Sequence, residues 1–314
     1  MRAQPTQVAE YLTYLFDKGL CPATIQVHRA AIGSVLNLTE YSPSEDEILR
    51  RLIKRFQRER PRTVRLVPEW DLGLVLAQLM KPPFVQGDPV SDRNVPLPIL
   101  LRKTVFLVAL AAGARRSELH ALVRSSPGLT ISRTDRSGEK VMSVRPFEGF
   151  VAKNQVPDMI FEPFTIPSMA HLVPHETERF LCPVRSTEIY IKRTSDPEYL
   201  RGRSRLFLHP DPEVNTTRTS HISQWIVDTV KMAYEHSDEE SCRLNRVTAH
   251  DVRAMAQSLS YFNNVSLNEV LQGARWRSRG TFVAHYLRDM ALQRDNISRL
   301  APVVVAQRVL RPDT

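Results

Sequence analysis

Apolar residues recur at helical spacing through the N-terminal part of the chain. From Gln7 to Lys18 they return every three or four positions, and Gly19 stands where such a helix would end. The same spacing predicts a second helix over Pro22–Leu38 and a third over Pro43–Arg60. We therefore predict that the chain begins with a small helical domain.

The start of the third helix carries a capping signal. Ser42 is placed to cap the helix, Pro43 suits the first helical position, and Glu45 completes a capping box. Pro61 follows the last predicted turn and disfavours its continuation. The pattern therefore predicts a helix that is closed at both ends.

The rest of the chain mixes helical spacing with short β-branched runs, so we predict a helical domain over residues 1–60, a linker over 61–68 and a larger domain over 69–314. In the larger domain, helices are predicted over Asp71–Met80, Ile99–Ala112, His221–Tyr234, Thr248–Phe262, Ser266–Gly273 and Thr281–Met290. Strands are predicted over Leu129–Arg133, Val141–Arg145 and Met159–Ile166. The predicted fold class is mainly α with a small β-sheet (α+β).

Charge points to a polyanionic partner. The 314 residues carry 43 basic and 34 acidic side chains, a formal net charge of +9, and 42% are hydrophobic. Such a balance favours nucleic acid, although a generic basic protein fits it too. The most apolar run, Thr104–Ala114, is too short to span a bilayer. We therefore expect a buried core helix there and no membrane association.

Cysteine and histidine usage gives no sign of a disulfide framework or a metal. The three cysteines are far apart and odd in number, which is typical of a reducing compartment: Cys21, Cys182 and Cys242. His171 and His175 flank Pro174 in a segment that we interpret as a loop. We therefore expect no metal site and no cofactor.

A histidine and two arginines form a candidate phosphate site. Helical spacing puts His250 and Arg253 on one face, one turn apart, so both side chains can reach the same phosphate. Arg115 would supply a second guanidinium group. Two planar guanidinium groups can bind the non-bridging oxygens of a phosphodiester and stabilise a pentacoordinate transition state. Taken singly, each residue also fits an ion pair, a cap or the core.

A late tyrosine could supply the nucleophile. An ordinary phenol has a pKa of about 10, so Tyr286 would need a cationic environment and a base. Trp276 lies ten residues before it and is flanked by Arg275, Arg277 and Arg279, a pattern typical of a phosphate-contacting loop. Two simpler interpretations remain: Trp276 could pack in the core, and the three arginines could form a solvated basic turn.

Two lysines compete for the role of general acid. Lys153 lies between the second and third predicted strands, where a hairpin tip could reach into a DNA groove and donate a proton. Lys140 begins the second strand. We favour Lys153 because of its position and reach, although a solvated surface lysine fits either residue. Arg29, on the second predicted helix, is a candidate for a DNA contact.

Three motifs together resemble the boxes of the tyrosine recombinase, or phage-integrase, family. They are Gly113-Ala114-Arg115-Arg116-Ser117-Glu118-Leu119, Thr248-Ala249-His250-Asp251-Val252-Arg253, and Leu271 to Trp276 followed by Tyr286-Leu287-Arg288. Tryptophan at position 276 is similar to the Cre-like members, and this last box also resembles recombinases of DIRS-type retrotransposons. The motifs cover about residues 69–290.

The resemblance implies a tyrosine recombinase catalytic domain preceded by a small helical core-binding domain. It also implies a site-specific recombinase that forms a 3′-phosphotyrosine, releases a 5′-hydroxyl group and needs neither ATP nor metal. The implied roles are nucleophile for Tyr286, phosphate binding for Arg115 and Arg253, base or proton shuttle for His250, general acid for Lys153, and phosphate support for Trp276. Glu118 matches a family position with a structural role.

The resemblance further implies double-stranded DNA as the partner and a homo-tetramer on paired DNA sites. The protein would act in the nucleus if its source is a eukaryote and otherwise in the cytoplasm, at the nucleoid. Two alternatives keep the same motifs: a type IB topoisomerase-like relaxase and a domesticated DNA-binding protein without catalysis. A Ser-His-Asp hydrolase is poorly supported, because the chain contains no Gly-x-Ser-x-Gly motif.

Overall fold

A computed structural model describes residues 4–36, 42–61, 70–86, 94–134, 139–153, 161, 163–170, 173–237 and 247–262 of the chain. The chain divides into two compact units, Met1–Arg65 and Leu66–Thr314. Most of the predicted linker lies outside the described residues, as do the helices predicted over Ser266–Gly273 and Thr281–Met290.

The described residues are mainly helical, with a small antiparallel sheet, which confirms the predicted fold class. The first unit contains α1 (Pro5–Asp17), α2 (Pro22–Leu36) and α3 (Glu47–Glu59). The second contains α4 (Leu72–Leu79), α5 (Leu97–Ala112), α6 (Arg116–Ala121), β1 (Leu129–Arg133), β2 (Lys140–Val144), β3 (Phe164–Pro167), α7 (His175–Leu181), α8 (Pro183–Arg193), α9 (Pro197–Leu200), α10 (Thr219–Glu235) and α11 (Ala249–Phe262).

The first unit is built around one aromatic stack. The rings of Phe16 on α1 and Phe56 on α3 lie parallel, with centroids 4.1 Å apart. The guanidinium group of Arg60 lies over Phe16, 3.8 Å from the ring centroid, and its Nη1 donates to the Phe16 carbonyl at 2.7 Å. Gly19 ends α1 with a positive φ of 90°, as predicted, because a left-handed residue lets the chain reverse.

The predicted start of the third helix is wrong. Asp46, not Ser42, caps α3, and its carboxylate accepts the backbone N–H groups of Ile48 and Leu49 at 2.8 and 3.1 Å. Residues 43–45 form a turn before the helix. The aspartate wins because one carboxylate oxygen satisfies two of the N–H groups that a helix start leaves open.

Helix α5 is the centre of the second unit. It contacts α6, α8, α10, α11 and β3, and its middle turns are fully buried, as the sequence predicts for Thr104–Ala114. Hydroxyl groups tie it to its neighbours: Thr104 Oγ1 lies 2.7 Å from Ser186 Oγ on α8, and Thr229 Oγ1 on α10 donates to the Arg102 carbonyl at 3.1 Å. The helix therefore sets the positions of the elements around it.

The three strands form one antiparallel sheet in the order β1-β2-β3. Leu129 pairs with Val144, and Val144 pairs with Phe164. All three predicted strands are present, although β2 begins one residue early, at Lys140, and the described part of the third strand is shorter than predicted. The connection that follows β2 is described over residues 145–153 and at 161 and 163.

Four short helices were not predicted. They are α6, α7, α8 and α9, and the interpretation of His175 as part of a loop is wrong because it begins α7. His171 lies outside the described residues. In the part of the chain that the structure describes, no helix could cross a membrane and no group of side chains is suited to hold a metal ion.

Replacing Gly113 by alanine is expected to lower the free energy of unfolding by about 1–2 kcal/mol, because left-handed backbone disfavours a Cβ atom. Gly113 has φ of +53°, and an added Cβ would lie 3.1 Å from Gln257 Nε2. Gly33→Ala is the control: an added Cβ meets open space within α2, and alanine there should stabilise by about 1 kcal/mol. Urea unfolding measures both changes, and effects of equal sign would contradict this account.

Candidate active site

A tight turn between α5 and α6 presents Arg115. Helix α5 ends at Gly113, where the left-handed backbone reverses the chain. Arg115 is extended, with φ −77° and ψ 153°, and stands at the N-cap of α6. Its backbone N–H group donates to Glu118 Oε2 at 2.7 Å, so the first turn of α6 is closed by a carboxylate. The turn therefore fixes the backbone of Arg115 independently of the contacts of its side chain.

Glu118 binds the guanidinium groups of two arginines. Arg115 Nη1 donates to its Oε1 at 2.8 Å, and Arg253 Nη1 donates to its Oε2 at 3.4 Å. Arg115 lies three residues before Glu118, whereas Arg253 lies 135 residues after it, on α11. One carboxylate therefore brings together the two arginines that the sequence predicts as phosphate ligands.

The three side chains are largely shielded from water. The exposed fraction is 1% for Glu118, 2% for Arg253 and 11% for Arg115. In such surroundings the attraction between opposite charges is strong, but desolvation opposes it, so the cluster depends on good geometry.

Helix α11 carries His250 and Arg253 into this region. Asp251 accepts the backbone N–H and the hydroxyl of Thr248, both at 2.8 Å, which confirms the predicted capping pair. Farther along, Gln257 Nε2 donates to the Gly113 carbonyl at 3.4 Å. His250 is exposed in the first turn, whereas Arg253, three residues later, is buried. Helix α11 therefore carries an exposed histidine and a buried arginine one turn apart.

The two candidate lysines differ in their surroundings. Lys140 Nζ binds both carboxylate oxygens of Glu188 on α8, at 2.7 and 2.9 Å. Lys153 is exposed and lies in the connection between β2 and β3. An ammonium group held by two carboxylate oxygens is poorly placed to reach a substrate, so the ion pair favours Lys153 for contact with a substrate.

The remaining candidate residues fall in two places. Arg29 is half-buried on α2, in the first unit. Five lie outside the described residues: Trp276, Tyr286, Arg275, Arg277 and Arg279. Among the predicted catalytic residues, the structure therefore brings Arg115 and Arg253 together through Glu118 and sets His250 one helical turn from Arg253.

The bridging contact of Glu118 is the part of the site that the sequence did not predict. Spacing of i,i+3 indicates a pair between Arg115 and Glu118. The second contact, to Arg253, depends on how α11 packs against α5, and no local pattern reports that packing. The folded structure therefore reveals what the sequence did not: a buried glutamate lies between two arginines that are candidates for binding the same phosphate.

No family model and no curated protein matches the chain. Two solved structures of the Tn1549 transposon integrase are similar to it, one in complex with circular intermediate DNA and one with transposon right end DNA. Both share 14% sequence identity with this chain at a TM-score of 0.52. The match to the circular-intermediate complex covers 96% of this chain and 85% of the integrase chain. The match to the right-end complex covers 95% of this chain and 86% of the integrase chain. A lambda integrase dimer bound to a COC′ core site shares 13% identity over 94% of this chain and 83% of its own, at a TM-score of 0.48.

Replacing Glu118 by glutamine is expected to lower the free energy of unfolding by about 3–5 kcal/mol, because it leaves two shielded cations without their shared carboxylate. Glu47→Gln is the control, since Glu47 pairs with Arg50 and Arg51 on the exposed surface of α3. That change should cost less than about 1 kcal/mol. Urea unfolding measures both, and similar small losses would contradict the structural importance of the Glu118 cluster.

Proposed function

We propose that this chain, which has the fold of the tyrosine recombinases, is a site-specific DNA recombinase or integrase. The fold rests on the similarity to the Tn1549 integrase. The reaction we propose cuts and rejoins DNA through a phosphotyrosine at Tyr286. A net charge of +9 suits a polyanionic substrate.

The observation that carries the proposal is the arginine pair on Glu118. Arg115 and Arg253 come from distant parts of the sequence, yet both Nη1 atoms contact one carboxylate. Two guanidinium groups held this closely can engage the two non-bridging oxygens of one phosphodiester. Glu118 would then act as a positioning residue that keeps their spacing.

The proposed reaction replaces one phosphoester bond by another, so the number of phosphoester bonds does not change. The Tyr286 hydroxyl oxygen attacks the phosphorus atom, a phosphotyrosine ester forms, and the bond from phosphorus to the 5′-oxygen breaks. The tyrosine proton passes to His250, which is exposed and one turn from Arg253. Because one phosphoester replaces another, a 5′-hydroxyl from a second strand can reverse the step without an external energy source.

The departing 5′-oxygen needs a proton, and Lys153 is the proposed donor. Its exposure in the β2–β3 connection leaves the ammonium group accessible to a substrate, whereas Lys140 is bound to Glu188. Arg115 and Arg253 would meanwhile stabilise the charge that develops on the phosphate oxygens. Trp276 would support the same phosphate from the segment that precedes Tyr286.

The proposed partner is double-stranded DNA. The Tn1549 integrase structures contain circular intermediate DNA and transposon end DNA. Strand exchange between two duplexes needs four cuts, so we propose a homo-tetramer on paired sites as the active assembly. Arg29 and the arginines at 275, 277 and 279 are proposed phosphate contacts, and we infer no target sequence because base-edge contacts are needed to specify one.

The variant Tyr286→Phe is expected to bind DNA normally but to form no covalent adduct, because it lacks the attacking oxygen. The substrate is a library of nicked duplexes, in which the cut strand diffuses away and the adduct accumulates. Denaturing gels report the adduct and gel shifts report binding. Tyr261→Phe, at another tyrosine of the chain, serves as the control and should retain the adduct. An adduct formed by Tyr286→Phe would overturn the assigned nucleophile.

Replacing Lys153 by alanine should slow cleavage by about 100-fold or more, the usual contribution of a general acid. A substrate with sulfur in place of the 5′-oxygen should restore the rate, because a thiolate leaves without a proton. Lys140→Ala is the matched control and should slow cleavage little, since Lys140 binds Glu188. Adduct formation in single turnovers gives the rates. A loss with Lys153→Ala that sulfur does not relieve would contradict the acid role.

A further inference from the structure

A groove lies beside the β2–β3 connection, outside the arginine cluster. Its volume is about 650 Å³, and residues from four segments of the chain line it. Phe147, Phe150 and Phe161 supply aromatic surface, while the exposed residues Ser125, Ser126 and Ser204 supply hydrogen-bonding groups. The groove therefore combines ring faces with polar groups.

The exposed end of this aromatic surface is held rigidly. Four rings contact one another edge to face, with centroid distances of 5.9 Å from Phe147 to Phe150, 5.7 Å from Phe150 to Phe161, and 5.6 Å from Phe161 to Phe164. Phe164 is buried on β3, whereas 38% of Phe147 is exposed. The buried end anchors the row, so the ring of Phe147 is presented to solvent in a fixed orientation.

The charges around the groove favour a negatively charged ligand. The guanidinium group of Arg205 lies over the ring of Phe147, 4.0 Å from its centroid, and Arg145 lines the groove with an exposed side chain. Glu148 is the acidic residue of the lining. Lys153 follows in the same connection. A stacking ring surrounded mainly by cations is typical of surfaces that bind nucleotides.

A backbone hydrogen bond connects the groove to the end of α6, the helix whose N-cap is Arg115. The backbone N–H of Phe147 donates to the carbonyl of Ala121, the last residue of α6, at 3.0 Å. Six helical residues span roughly 9 Å, which is about the axial length of three nucleotides in one strand. A phosphate at Arg115 would therefore leave neighbouring nucleotides of the same strand within reach of Phe147.

We propose that this groove binds an unpaired DNA base next to the cut phosphate, by stacking on Phe147. The inference rests on the proposed function, because that function brings DNA to Arg115. A paired base presents no free face, so the groove would favour DNA that is locally unpaired. Because Arg205 covers one face of Phe147, the base would stack on the opposite face of the ring. Arg145 would attract the phosphates that flank the base, and the serine hydroxyls would contact its edge.

The test compares binding of a fluorescent duplex with binding of the same duplex carrying a short run of unpaired bases. The wild-type protein should prefer the unpaired DNA, and Phe147→Ala should lose about fivefold to tenfold in affinity for that DNA alone. Phe147→Tyr, which retains a ring, should keep the preference. Tyr14→Ala, at an exposed aromatic residue of α1, is the control and should leave the preference for unpaired DNA unchanged.

Three outcomes would overturn the inference: no preference in the wild-type protein, an equal loss on both DNAs, or a preference that survives in Phe147→Ala. If Phe147→Ala is unfolded by circular dichroism, Phe147→Leu replaces it, since leucine keeps the apolar volume without a ring. Failure of the proposed function has a separate readout, the absence of a wild-type covalent adduct on nicked DNA. A protein that forms the adduct but ignores unpaired bases would refute the groove alone.

Discussion

The arrangement of the second unit depends on one carboxylate shared by two guanidinium groups. Glu118 closes the first turn of α6, holds the side chain of Arg115 and meets Arg253 on α11. Two arginines repel each other, and burial strengthens that repulsion. The shared anion offsets it and fixes the distance between them. Under the proposed function, the spacing of the two cations that bind the phosphate would thus be determined by a group that does not need to touch the phosphate.

The elements around this cluster are positioned by α5. The helix packs on α8, α10 and α11 and ends at Gly113, whose backbone conformation directs the chain into α6. The carbonyl of Gly113 in turn accepts a hydrogen bond from Gln257 on α11. The end of one central helix therefore contacts both helices that carry the arginines. Small changes in how α5 ends would move both guanidinium groups together.

Local signals in the sequence were sufficient for the long elements and insufficient for the short ones. Apolar spacing identified α1 and α10, and a run rich in β-branched and apolar residues identified β1. The helices α8 and α9 were missed because Pro183 and Pro197 resemble breakers, although each occupies a first helical position, where proline is tolerated. Helix α6 is too short to show a period, and the start of α3 was misplaced because several adjacent residues can cap a helix.

The candidate site also has one part that local sequence predicts and one part that depends on long-range contacts. The i,i+3 spacing of His250 and Arg253 is a local property, whereas the meeting of Glu118 with Arg253 joins residues 135 positions apart. Contacts of such long range form only after the intervening chain has folded. The cluster is therefore incomplete while the protein is being synthesised, and a nascent or partly folded chain lacks the paired cations. Under the function proposed above, a chain would gain its phosphate-binding pair only once α11 has packed against α5.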